Sequence, residues 1–146
     1  MRVQTPVQEA AFSTALLLGN KFGILTEKKH KEAVKEQHVR KHGLEQRFAG
    51  VRALNMGVVE IASHPEKAAE RGLEICRRLI EEDGAEVIIL GCASMAGHDK
   101  EMEQALGVPV LDPVAVAFKL VEGLTELGVH HSKIGLYATP APKKIN

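Results

Sequence analysis

The amino-acid sequence predicts an α/β domain, a three-layer α/β/α sandwich built on a four-stranded, mainly parallel sheet. Three observations lead there. Short apolar runs alternate with longer helix-favouring stretches along most of the chain, as crossover-connected parallel strands require. One run, Val87 to Leu90, is apolar at every position, the pattern of a central strand covered on both faces. Finally, Gly or Pro stands at several of the junctions, where the chain must change conformation.

Pro6 suits a first helical position, and apolar residues from Val7 to Leu18 make a helix that closes at Gly19 and Asn20. Phe22 to Leu25 reads as a strand ending at Thr26, and the charged stretch Glu27 to His42 as a helix stopped by Gly43. Phe48 to Leu54 alternates weakly, as a half-buried edge strand does. Pro65 opens a helix with Ala68, Gly72, Ile75, Cys76, Leu79 and Ile80 on one stripe, ending near Asp83 and Gly84. The run Val87 to Leu90 follows. Asp99 to Leu106 is a short helix and Val108 to Leu111 a short strand, after which Asp112 can cap a helix from Pro113 to about Leu127. Beyond Gly128 only Ile134 to Tyr137 is apolar, and the prolines at 140 and 142 exclude a helix.

The chain has 146 residues, 45% of them apolar, enough for one core and too few for two full domains. Nineteen basic residues balance nineteen acidic ones, which removes bulk attraction to nucleic acid or an anionic membrane. Four Phe, one Tyr and no Trp leave few rings for stacking bases or anchoring at lipid. No apolar run approaches the length of a membrane span, and the first residues lack the build of a secretion signal. Two cysteines make no disulfide framework and no zinc spacing. A cytoplasmic protein without metal or cofactor is expected.

Ligands of open parallel sheets gather beyond the carboxyl ends of the strands. The most informative stretch is therefore IILGCASMAG, residues 88 to 97, where a buried strand ends at Gly91 and delivers Cys92 to a loop of small residues. A thiol beside unpaired backbone amides suits a proton acceptor or nucleophile, and the amides of Ala93 and Ser94 can stabilise an oxyanion. The same position also suits a small buried hydrophobe, since free Cys is often buried. Cys76 is different. It shares a stripe with Ile75, Leu79 and Ile80 and reads as core. Lying eleven residues into its helix, about 16 Å from the end nearest Cys92, it cannot share a small substrate with that thiol.

Four segments, VIILGCASMAGH, LGVPVLDPVAVAFKLVE, HSKIGLYATP and NKFGILT ahead of RKHGLE, make the chain similar to the aspartate/glutamate/hydantoin racemase family, most closely its hydantoin racemase branch. The resemblance implies two similar α/β domains with substrate between them and one cysteine per domain, on opposite faces of the stereocentre. It makes Cys92 the second of these. One thiol removes the proton next to a carbonyl while an acid supplies a proton from the other side. The resemblance also places Thr26 where a hydroxyl holds the substrate's carboxylate or ring carbonyl, although a strand-end threonine can equally satisfy its own backbone.

The resemblance further implies a first domain, roughly ninety residues on usual domain sizes, ahead of Arg2. On this reading residues 1–131 are the second domain of a racemase and 132–146 a return segment. The expected function is a cofactor-independent racemase domain for hydantoins or amino-acid derivatives, incomplete alone and assembled as a homodimer or larger. A non-catalytic binding or assembly domain and a single-cysteine decarboxylase of the same superfamily are the alternatives. His38 and His42, four apart, read as a solvated Lys-rich helix face rather than metal ligands, His98 as a loop-surface residue, and Glu9 as an exposed helical acid.

Overall fold

The computed structural model of the chain describes residues 6–141. Six α-helices and four strands alternate in it: α1 (Val7–Leu18), β1 (Phe22–Thr26), α2 (Glu32–Lys41), β2 (Phe48–Ala53), α3 (Val58–Ser63), α4 (Pro65–Glu81), β3 (Val87–Leu90), α5 (Asp99–Leu106), β4 (Val110–Leu111) and α6 (Pro113–Glu126). The strands form one sheet in the order β2-β1-β3-β4, and every pair is parallel. The three-layer sandwich expected from the sequence is the fold observed.

Two apolar clusters fill the space on either side of the sheet. Leu25, Ile88, Leu90 and Val110 meet Ile61, Ala68, Ile75, Leu79 and Met102 of α3, α4 and α5. Phe22, Ile24, Val87, Ile89 and Leu111 meet Ala11, Phe12 and Ala15 of α1 and Val39 of α2. Alternate residues of β1 and β3 thus serve opposite cores, which explains why both strands are buried throughout. β2 is only partly buried, as its edge position requires. Arg52 of β2 clamps Asp83 through Nε at 2.6 Å and Nη2 at 2.9 Å, and reaches Glu82 at 2.7 Å, a forked pairing that ties this edge to the end of α4.

Three local differences from the sequence reading have physical reasons. The Glu27 to His42 segment begins as a 3-10 turn over Lys29–Lys31 before α2 starts at Glu32. β4 begins at Val110 rather than Val108; Pro109 has no N–H, although its carbonyl accepts from Ile88 N at 2.9 Å. α3 is too short to show periodicity in the sequence. Ile134 to Tyr137 form no strand; Ile134 and Leu136 are exposed, and Tyr137 stacks on His131 with ring centroids 4.2 Å apart. The segment expected to be non-helical ends partly beyond the described residues, at Pro142.

The two histidines do not form a simple solvated face: His38 is half-buried, with its Nδ1 enclosed and without a hydrogen-bond partner among the described residues, and the exposed His42 ring is held in place. Its Nε2 lies 2.9 Å from Glu9 Oε1 and its Nδ1 2.7 Å from the carbonyl oxygen of His38, while its ring packs edge-on against Phe12, 5.6 Å between centroids. A carboxylate and a carbonyl only accept, so the ring bonds both as the imidazolium. The Glu9 hydrogen bond first, and the His38 carbonyl second, raise its pKa against burial and the charge of Lys41. The folded ring therefore holds its proton more tightly than the unfolded chain does. The resulting stability is complete below the ordinary histidine value of about 6.5 and is lost as pH rises through the raised value. His42→Gln is expected to lower the urea midpoint more at about pH 5.5 than at about pH 8.5; equal deficits would show that the proton plays no part.

Candidate active site

In the order β2-β1-β3-β4 the chain passes from β1 outward to β2, then returns to β3 and moves outward to β4. The direction reverses between β1 and β3, and a crevice opens beyond the carboxyl ends of such neighbouring strands. A cavity of about 240 Å³ lies there, walled by α1, Ile24, Lys35, Ile89 to Ala93 and Asp112 to Val114. The residue that follows β3 by two is Cys92.

Gly91 brings the loop close. Its N–H donates to the Leu25 carbonyl at 2.7 Å, and a Cβ at position 91 would stand 2.8 Å from both that oxygen and Ile24 Cγ2. Cys92 packs with the α3–α5 core and also lines the cavity, with 8% of its surface exposed. Its Sγ shares a hydrogen bond of 2.6 Å with Ser94 Oγ. Residues Ala93–Met95 form a single 3-10 turn, whose first amides are those a helical turn leaves unpaired by its own carbonyls.

Asp112 fastens this loop to the neighbouring strand. As expected, it caps α6: Oδ1 accepts from Val114 N at 2.9 Å and Ala115 N at 3.4 Å. Its Oδ2 accepts from Gly97 N at 3.2 Å, where Gly97 has the positive φ of 85° that glycine adopts without strain. One buried carboxylate thus holds both the start of α6 and the end of the cysteine loop.

The sequence-derived candidates separate in space. Cys92 and Ala93 line the cavity; Ser94 stands behind it, bonded to the Cys92 sulfur. Thr26 is fully buried, its hydroxyl donating to Glu27 Oε2 at 2.9 Å, and is not one of the cavity-lining residues. Burial pushes the Glu27 carboxyl up, but its own amide, the Thr26 hydroxyl, Lys35 and Lys31 together hold it below the usual carboxylate range. His98 leads into α5 away from the cavity walls. Cys76 is fully enclosed in the α3–α5 core, and burial pushes its thiol up to about 12, as its helical stripe implied. Lys35 was not singled out as a site residue by its charge run, and only the return of α2 toward the β1–β3 crevice reveals it.

Comparison with known proteins agrees with this architecture. Residues 5–121 match the Asp/Glu/Hydantoin racemase family. A hydantoin racemase from Pseudomonas sp. is 33% identical over 138 residues, covering 94% of this chain and 55% of that protein. The crystal structure of allantoin racemase from Pseudomonas fluorescens superposes with a TM-score of 0.87 at 41% identity, over 99% of this chain and 63% of that one. Unliganded arylmalonate decarboxylase shares the fold, with a TM-score of 0.62 at 21% identity, over 81% of this chain and 52% of that one. The chain thus spans little more than half the length of the curated relative. On the family match and these relatives, the chain belongs to the Asp/Glu/hydantoin racemase family.

Proposed function

We propose that this chain is the cysteine-bearing domain of a cofactor-independent racemase acting on hydantoins or related amino-acid derivatives, with Cys92 as one acid/base. The observation that carries the reading is the placement of Cys92 on the cavity at the sheet's reversal point, beside Ser94. In the proposed step the Cys92 thiolate takes the proton from the carbon next to a carbonyl. The electron pair moves onto the carbonyl oxygen, and the amides of Ala93 and Ser94 at the start of the 3-10 turn favour that charge. Reprotonation from the opposite side completes inversion, and Cys76 cannot supply it, being fully buried with its thiol pushed up to about 12. The opposing acid is therefore a group other than Cys76.

The test is incorporation of solvent deuterium at the α-carbon of each enantiomer of a 5-substituted hydantoin. A single thiol acting alone gives exchange with retention; a complete pair gives exchange with inversion. No exchange into either enantiomer refutes the reading.

The proposal includes a cytoplasmic location, which suits two unpaired cysteines, and assembly as a homodimer or larger. Leu17, Val114, Phe118 and Leu127 are 85%, 54%, 62% and 75% exposed, an apolar display on α1 and α6 and just beyond α6 that a lone domain rarely leaves to water. Sedimentation is expected to show a dimer or larger species; a monomer at all concentrations removes this part.

A further inference from the structure

Resting on the reading of Cys92 as an acid/base, we propose that Lys35 makes the cavity selective for anionic ligands, holding a carboxylate or enolate oxygen over Gly91. The cavity wall is mostly apolar, with Val7, Ala11, Phe12, Ile24, Ile89 and Val114 around it. Among the described residues, Lys35 is the cation on that wall. Its half-buried side chain leaves α2 across Gly91, with Cε 3.4 Å from where a Cβ at position 91 would stand.

The other charges nearby are already engaged. Asp112, on the same wall, has its carboxylate committed to three main-chain N–H groups, which disperses its charge. Glu27 feels Lys35 electrostatically, but its carboxylate accepts from Thr26 and lies outside the cavity lining. Lys35 itself makes no ion pair or hydrogen bond among the described residues. An ammonium at an apolar wall attracts an anion more strongly than it would in open water. During proton removal, the α-carbon–hydrogen bond breaks toward the Cys92 sulfur and the pair goes to the carbonyl oxygen. The same ammonium then faces the charge that this step creates.

Two alkylating reagents read this charge directly. Iodoacetate and iodoacetamide attack with the same carbon and lose the same iodide, but only the first is an anion. Both depend equally on the thiolate fraction of Cys92, so their rate ratio isolates the field at the cavity. Lys35→Met is expected to lower the iodoacetate-to-iodoacetamide ratio about fivefold, the factor for unit charges about 4 Å apart in water. Lys35→Arg should retain the ratio, and salt near 1 M should erase most of the difference. Peptide mapping assigns the label to Cys92, because Cys76 is enclosed.

If Cys92 reacts with both reagents and Lys35→Met leaves the ratio unchanged, Lys35 does not set selectivity, while the role of Cys92 stands. If neither reagent labels Cys92 in the native protein, the acid/base reading falls and this inference with it.

Discussion

Cys92→Ala is expected to lower α-deuterium exchange into a 5-substituted hydantoin by about 10²–10⁴-fold, the usual worth of a positioned acid/base. The substitution removes the sulfur and its bond to Ser94 but little volume, at a site that already borders a cavity. Its stability cost is expected to be about 1 kcal/mol or less. Urea unfolding alongside the exchange assay separates the two effects. Near-normal exchange from a folded Cys92→Ala protein would move the chemistry to another group and end the proposed mechanism. Cys76→Ala is the matched control. It deletes a sulfur from the core, so it should reduce stability while leaving exchange per folded molecule unchanged, since that thiol is enclosed and its pKa is pushed up to about 12.

The largest stability loss expected from adding a single carbon comes from Gly91→Ala. The new Cβ would meet Leu25 O and Ile24 Cγ2, each at 2.8 Å. A side chain such as that of Ile24 can rotate away, but the carbonyl belongs to β1 and already accepts the Gly91 N–H at 2.7 Å. The strands must part or the loop must lift, and overpacking of this kind costs roughly 1–3 kcal/mol. Urea titration should show the loss, and iodoacetamide should label Cys92 at an altered rate because the loop carries it. An unchanged midpoint would mean that the crossing of β1 and the cysteine loop has slack that the distances do not show.

The sequence made the scaffold legible because strong local signals agreed with the tertiary arrangement. Val87 to Leu90 is a strand with the bounds read from its apolar run; Pro65 and Pro113 each open a helix; Asp112 caps the second of these. Cys92 was legible as a site candidate because Gly91 ends a central strand. What stayed hidden depends on contacts between distant segments. The approach of Lys35 to Gly91, the bond from Asp112 to Gly97 and the bond from His42 to Glu9 each join residues far apart in the chain. No periodicity within one element encodes such contacts. Thr26 shows the converse: strand-end position alone says little about exposure, and its hydroxyl is turned to Glu27.

The two borders of the sheet bear on how this protein behaves when concentrated. β4 contributes only two residues, too short a ladder for a stranger's backbone to zip onto, and β2 carries the clamped Arg52 with the acids of α4's end beside it. Short or charged margins of this sort discourage the strand-on-strand growth that leads to fibrils. Any self-association should accordingly proceed helix against helix, leaving the number of strands per sheet unaltered.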